Sequence, residues 1–93
     1  MPNFEHDPKK SLANQERHGI DLTKAQELWQ ATHVVIPARN VLGENRYAIL
    51  GKIGRKLFVA IFTQREDGIR LISCHRADKR WERVYEKYVQ KED

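Results

Sequence analysis

The stretch of sequence that decides the fold is RYAILGKIGRKLFVAIFTQREDGIRLISCHR, residues 46–76. Its apolar residues are mostly β-branched or aromatic, and short polar breaks around Gly54 and Gly68 divide it. Breaks of this length and composition are typical of tight hairpin turns. We therefore predict an antiparallel meander of three strands, which cover 46–53, 57–63 and 69–76. The second strand is almost wholly apolar, a pattern typical of a central strand covered on both faces.

The sequence before this stretch begins with a predicted helix over 8–18. Asp7, followed by a proline, is typical of a helix start, and Gly19 is typical of a helix end. The apolar face of this helix is thin, because it consists of Leu12 and Ala13 alone. We therefore expect the helix to lie on the surface of the core.

A second helix and a fourth strand are predicted between the first helix and the meander. Asp21 is the N-cap of a helix over 22–30, whose apolar residues lie on one face. The β-branched segment 33–36 predicts a short strand that Pro37 ends, and 38–45 has the composition of a loop.

The chain after the meander predicts a C-terminal helix that begins after Asp78. Its apolar residues recur at helical spacing and form one stripe: Trp81, Val84, Tyr85, Tyr88 and Val89. The sequence therefore predicts a single domain over 1–93 of the α+β class. It has two N-terminal helices, a four-stranded, mainly antiparallel sheet and a C-terminal helix.

The composition limits the class of protein. The chain has 93 residues, of which 40% are hydrophobic, enough for one core. No apolar run approaches the roughly 20 residues of a membrane span, and the first ten residues do not resemble a secretory signal. We therefore expect a soluble, cytoplasmic protein. The single cysteine, Cys74, and four histidines without zinc-like spacing predict neither a disulfide nor a metal or other cofactor.

The positive charge is concentrated in one part of the chain. The net charge is +4, yet residues 1–45 hold five Lys or Arg against six Asp or Glu, whereas 46–83 hold ten against four. A local excess of this kind favours a polyanion partner and speeds encounter with it. The alternative is a solvated surface that happens to be rich in Lys and Arg.

The end of the last strand is the predicted anion site. If side chains alternate faces without interruption, Arg70, Ile72, Cys74 and Arg76 share one face. Arg70 and Arg76 then lie about 20 Å apart and cannot bind the same phosphate. Arg76 is the better placed, because it adjoins the start of the last helix.

The first turn of the last helix supports that site. Lys79, Arg80 and Arg83 crowd a helix N-terminus, which carries a partial positive charge and favours acidic residues. A phosphate bound by free backbone N–H groups together with Arg76, Lys79 and Arg80 accounts for this arrangement. The alternative is that these side chains simply extend into water.

Histidines are the candidates for proton transfer. Cleavage of RNA without a metal needs a base for the 2′-hydroxyl, an acid for the leaving 5′-oxygen and cations for the phosphate. His18 and His75 are suited to this role near neutral pH, with Glu44 or Glu27 as alternative carboxylate bases. A surface or packing role is the alternative for either histidine.

The aromatic residues and the cysteine are assigned mainly to the core. Tyr47, next to Arg46, is kept as a candidate base contact. Trp81 and Tyr85 belong to the helix stripe, where core packing is the simpler role. Cys74 lies within an apolar strand and is expected to be a small buried residue.

Several segments together resemble one family, the BrnT toxins of bacterial type II toxin–antitoxin systems. The resemblance runs from Phe4 to about Tyr85. Its segments, in order, are Phe4-Glu5-x-Asp7-Pro8-x-Lys10, Asn14-x-x-x-His18-Gly19-Ile20, Glu44-x-Arg46-Tyr47-x-x-x-Gly51, Thr63-x-Arg65 and Ile69-Arg70-Leu71-Ile72-Ser73-x-x-Arg76-Ala77.

The resemblance implies a RelE-like ribonuclease fold and an endoribonuclease that cleaves RNA to arrest growth. It also implies a BrnA-like ribbon-helix-helix antitoxin, a 2:2 complex with it, and joint repression of the operon through DNA bound by the antitoxin. The family's motifs assign functional roles to His18, Arg46, Arg70 and Arg76, with Arg80 as a weaker member.

The chain departs from the family pattern at three places. His6 replaces a tryptophan, Cys74-His75 replaces a small residue and an arginine, and Trp81 replaces a glutamate. These changes affect the expected set of acids and bases. The alternative function is a non-catalytic module that binds RNA or an acidic protein. A DNA reader is disfavoured, since no helix-turn-helix pattern is evident.

Overall fold

The computed structural model describes residues 3–90 and confirms the α+β class. Three helices and five strands follow one another along the chain. They are β1 (Phe4–Glu5), α1 (Pro8–His18), α2 (Leu22–Ala25) with a 3-10 turn (Gln26–Trp29), β2 (His33–Pro37), β3 (Arg46–Ile53), β4 (Lys56–Arg65), β5 (Gly68–Arg76) and α3 (Lys79–Gln90). The predicted second helix is thus confirmed, but its last turn tightens to 3-10 geometry.

The sheet has the order β1-β5-β4-β3-β2. β2 to β5 are antiparallel, so the predicted meander is confirmed, with Ile53 opposite Lys56 at its first turn and Arg65 opposite Gly68 at its second. The predicted count of four strands is wrong. A fifth strand, β1, pairs in parallel with β5 and makes the sheet mixed.

β1 escaped prediction because it has only two residues and depends on tertiary contacts. The Ile69 N–H donates to the Asn3 carbonyl at 2.7 Å. The ring of Phe4 packs edge-on against Trp29 at 5.0 Å between centroids. Gly68 lets the chain approach, because a Cβ there would collide with the carbonyl oxygen of Asn3. No periodic pattern in the local sequence reports such contacts.

Each face of the sheet carries its own hydrophobic cluster. We call one the α1/α2 face; residues such as Leu22, Leu28 and Ile49 are fully buried there. The other is the α3 face, where α3 packs over β2 and β3 and covers Leu50 and Val59. β4 contributes to both clusters, as its apolar sequence predicted.

α1 is held to the sheet by polar side chains rather than by its thin apolar face. Leu12 remains 63% exposed, whereas Ser11 and Asn14 are buried. The Asn14 amide donates to the carbonyls of Ile20 and Cys74, both at 2.7 Å, and its oxygen accepts from the Cys74 N–H. The side chain of Asn14 therefore binds the edge of β5 as a neighbouring strand would.

A β-bulge in β5 overturns the predicted facing of its side chains. The register between β4 and β5 shifts at Ile61 and Phe62, which leaves Ile72 as the extra residue. Cys74 consequently joins Ile69 in the buried cluster of the α1/α2 face. Uninterrupted alternation had placed these two residues on opposite faces.

The C-terminal helix packs as the apolar stripe predicted. Trp81, Val84 and Val89 contact the cluster on the α3 face, and the buried Tyr85 donates its hydroxyl to the Thr32 carbonyl at 3.3 Å. Tyr88 is the exception, because it is 46% exposed. Among residues 3–90, no helix is long and apolar enough to cross a membrane.

Candidate active site

The α3 face is only half covered, which leaves a polar strip along β5 and the Thr63–Arg65 end of β4. One row of this strip crosses three strands, because Thr63 pairs with Arg46 on one side and with Arg70 on the other. Thr63 is buried, and its hydroxyl donates to the Asn45 carbonyl at 2.9 Å. Neighbouring strands are about 4.8 Å apart, so the two arginines flank Thr63 with their Cα atoms about 10 Å apart.

These two arginines belong to a chain of ion pairs that we call the arginine network. Glu44 lies 3.6 Å from Arg46 and 3.7 Å from Arg65, and Glu5 lies 3.7 Å from Arg65 and 3.5 Å from Arg70. Three guanidinium groups therefore share two carboxylates. The network keeps an excess positive charge on an open sheet face, where it can bind an anion.

Arg46 is the least satisfied member of the network. Its Nε is buried and has no hydrogen bond within residues 3–90, since the nearest carboxylate oxygen, on Glu44, is 3.6 Å away. The pairs in the network all exceed the usual length of a charge-assisted hydrogen bond. The two carboxylates hold the three arginines near one another and leave the network with a net positive charge.

The structure brings His18 and His75 together. Their ring centroids are 5.6 Å apart, although 57 positions separate the two residues in the chain. The His75 Nδ1 lies 2.8 Å from the Arg76 carbonyl, which can only accept, so the proton of the neutral ring is on Nδ1. The Nε2 of His75 is then left with a lone pair, the form that a general base needs.

A groove between α1 and β5 adjoins this histidine pair. His18 and Ser73 line it together with two exposed cations from α1, Lys10 and Arg17. Neither cation has an ion pair within the described part of the chain. The groove therefore places one ring of the histidine pair, that of His18, beside two cations that have no ion pair.

The histidine pair and the arginine network are separate sites on one face. His75 pairs with Val59, and Arg70 pairs with Thr63 four residues further along β4. At the rise of a strand this separation is about 13 Å. One phosphate cannot contact both sites, whereas a short piece of a polymer can.

The predicted anion site at the start of α3 is already occupied by the protein itself. Asp78 Oδ1 accepts from the backbone N–H groups of Arg80 and Trp81 at 3.0 and 3.1 Å. The hydrogen bond from Trp81 is the main cause that lowers the pKa of Asp78, and the charge of Arg80 adds to it. Lys79 and Arg83 are exposed at this helix end. The free amides on which the anion site depended are therefore used by the cap.

The bulge separates Arg76 from Arg70. Arg76 pairs with Phe58 and Arg70 with Thr63, and these two β4 residues face opposite sides of the strand. Arg76 instead lines a groove at the end of the sheet where β3 turns into β4, which we call the hairpin end. The prediction that Arg70 and Arg76 share a face is therefore wrong. The prediction that they lie far apart along β5 is unaffected.

Two further candidates lie away from the polar strip. Tyr47 stacks on Phe62 at 5.6 Å, on the α1/α2 face, so its ring lies on the opposite face from Arg46. Glu27 is exposed after α2 and pairs with Lys24 at 2.6 Å. Cys74 is fully buried, and burial raises the pKa of its thiol to about 12.

Sequence reasoning gave no role in the site to Glu5, Lys10, Arg17 or Arg65. Glu5 reaches the arginine network only through the unpredicted β1. Arg65 stands two residues after Thr63, so strand alternation places both on the same face once the register is known. No cluster of three or more metal-binding side chains forms within residues 3–90.

The fold and this face define a small α+β protein whose open sheet surface presents arginines and a histidine pair. The chain belongs to the BrnT family, because the family model described as "Ribonuclease toxin, BrnT, of type II toxin-antitoxin system" matches residues 6–80. The resemblance noted in the sequence is thereby confirmed. No curated protein matches the chain.

Proposed function

We propose that the protein is a metal-independent endoribonuclease that cleaves single-stranded RNA, and mRNA in particular, at the histidine pair. The observation that carries this proposal is the approach of His18 to His75 beside two free cations. Two imidazoles at this spacing supply both proton transfers of the reaction, and the cations supply the charge.

The reaction that fits these groups is transesterification. The Nε2 of His75 takes the proton of a 2′-hydroxyl, whose oxygen attacks the adjacent phosphorus. The bond to the 5′-oxygen breaks, and protonated His18 gives that oxygen its proton. The products are a 2′,3′-cyclic phosphate and a 5′-hydroxyl, and Arg17 and Lys10 stabilise the charge that develops on the phosphate.

The arginine network serves as a binding site for a neighbouring phosphate of the same strand. Arg46 and Arg70 lie about 13 Å from the histidine row along β4, which is too far for contact with the reacting phosphate. Their role is therefore to hold the RNA, with Glu44 and Glu5 as the side chains that position them.

The biological role that fits this activity is growth arrest relieved by a partner. A ribbon-helix-helix antitoxin of the BrnA type covers the cleavage face in a 2:2 complex, and the complex binds operator DNA through the antitoxin. The family match supports an antitoxin partner of some kind, and the excess charge on the face suits an acidic segment.

The first prediction tests the histidine pair. His18→Gln and His75→Gln each lower kcat for a single-stranded RNA in EDTA by about 10²–10⁴-fold, because each removes one proton-transfer group. His33→Gln is the matched control. His33 is also an exposed histidine with its Nδ1 on a carbonyl, that of Ala31, but it lies in β2.

The same assay shows where RNA is cleaved if the histidine pair is not the catalytic site. Wild-type rates in both histidine variants, together with loss of cleavage in Glu44→Gln, place catalysis at the arginine network. RNA that stays intact with all folded variants and with the wild type favours the non-catalytic binding module.

In cells, induced expression of the wild type without the neighbouring antitoxin should arrest growth, and expression of the His18→Gln variant should not.

A further inference from the structure

A groove at the hairpin end of the sheet gathers four cations from three parts of the chain. Lys52 comes from the end of β3, Arg55 and Lys56 from the turn into β4, and Arg76 from the end of β5. All four side chains are exposed. We call this set the hairpin cluster.

The hairpin cluster differs from the arginine network in that it lacks compensating ion pairs. Within residues 3–90, none of its four cations lies in an ion pair, although Glu82 and Glu86 of α3 line the same groove. Four like charges around one groove repel each other unless an anion joins them. The groove thus carries more positive charge than its own acids balance.

The position of the cluster relates it to the cleavage site. Along β4, Leu57 lies in this groove, Val59 pairs with His75, and Thr63 carries the arginine network. At the rise of a strand, the position of His75 is therefore about 7 Å from the groove at Leu57 and about 13 Å from the position of Arg70. The reactive groups lie between two sets of cations.

We infer that the hairpin cluster is a second phosphate-binding site for the RNA strand, on the opposite side of the cleaved bond from the arginine network. This inference rests on the proposed RNA substrate. The RNA strand follows β5, where Arg70, Ser73 and His75 are partly exposed, with one flank on the arginine network and the other on the hairpin cluster. The cluster contributes affinity for longer RNA and does not touch the reacting phosphate.

The test neutralises the turn and leaves Arg76 in place. The Arg55→Gln/Lys56→Gln double variant is compared with Lys24→Gln/Lys87→Gln, which removes the same charge from exposed positions in α2 and α3. The probe is a single strand of all-2′-deoxy oligonucleotide, which lacks the attacking hydroxyl and stays intact. Its Kd is measured by fluorescence anisotropy at several salt concentrations.

We expect the turn variant to weaken binding about tenfold and to reduce the slope of log Kd against log salt by about 1.4, since each lost contact with a single strand removes about 0.7. The control variant should change the slope far less. For cleavage of long RNA, KM rises while kcat stays unchanged, and a trinucleotide substrate shows no difference.

Three results separate the outcomes. If the turn variant binds the deoxy-oligonucleotide as tightly as the control variant, the inference is overturned, whether or not the protein cleaves RNA. If binding depends on the turn but the wild type never cleaves RNA, the proposed function fails and the site remains. If the turn variant loses only the binding of a polyglutamate peptide, the cluster receives an acidic protein segment instead and the inference also fails.

Discussion

At the scale of single residues, Asn14 links α1 to the edge of β5. Its amide group makes three buried hydrogen bonds, two of them to the backbone of Cys74 across the junction of α1 and β5. A buried backbone group that loses its partner destabilises the fold by about 1–3 kcal/mol. Asn14 therefore helps to fix the position of α1, and with it the approach of His18 to His75.

We therefore expect Asn14→Ala to lower the free energy of unfolding by about 2–4 kcal/mol in urea titrations. Leu12→Ala, two positions earlier on the same helix, is the control and should stay within about 0.5 kcal/mol because Leu12 is exposed. Equal effects of the two substitutions would show that apolar contacts hold α1.

The sequence selected candidate residues for the site but did not predict how they are grouped. His18, His75, Arg46 and Arg70 were selected by residue type and by family resemblance, and the structure places all four on or beside the α3 face. Their grouping into two sites was not predicted, because it depends on the bulge at Ile72 and on the turn of α1. A bulge inserts one residue without a sequence signal of its own, and it reverses every side chain that follows.

At the scale of elements, β1 links the fold to the arginine network. Its two residues do different work: Phe4 packs on Trp29, and Glu5 pairs with Arg65 and Arg70. The longer strands were predictable because their apolar patterns extend over several residues. β1 was not, because its pairing depends on close approach at Gly68.

Gly68→Ala should displace β1, since the added Cβ collides with the carbonyl oxygen of Asn3 and lies 2.9 Å from its carbonyl carbon. We expect a loss of about 1–3 kcal/mol in stability and a changed emission of Trp29, recorded in a Trp81→Phe background. Gln64→Ala, at the exposed position that pairs with Ile69, is the control. Unchanged Trp29 emission would mean that the strand accommodates the methyl group.

The cap of α3 gives a prediction about pH. Asp78 has a lowered pKa in the folded protein, so its carboxylate stabilises the fold above its ordinary value of 3.8, and this contribution is lost as the pH falls through the folded value. Asp78→Asn keeps a capping side chain without the titration. The two proteins should therefore differ in Tm near neutral pH and converge in acid, and a constant difference would contradict the assignment.

At the scale of the whole molecule, the sheet is the common support of every feature described. Its α1/α2 face is closed by helices, and its α3 face is closed over β2, β3 and the first half of β4. The strip that remains open runs along β5 and the Thr63–Arg65 end of β4 and carries Arg46, Arg65 and Arg70, whereas the other cations of residues 46–83 lie at the hairpin end and on α3. The charge distribution could be predicted from the sequence. The strands that stay uncovered could not, because they depend on where α3 packs against the sheet.

The rate at which the Cys74 thiol is labelled measures the unfolding of the whole domain. Cys74 is fully buried between α1 and the sheet, and burial raises the pKa of its thiol to about 12, so the native thiol is neither accessible nor ionised near pH 8. We expect its labelling by iodoacetamide to accelerate with urea in step with the loss of circular dichroism. Fast labelling without denaturant would reveal local opening of α1.

The contact between Asn14 and Cys74 also affects whether two copies of the protein can associate through the edge of β5. The outer edge of β5 is covered by β1 at Ile69 and Arg70, and by the Asn14 amide at Cys74. An uncovered strand edge is a template on which a second chain adds as a further strand, and then a third. Without the Asn14 side chain the edge of β5 at Cys74 is open, so Asn14→Ala should favour association of the protein through added strands.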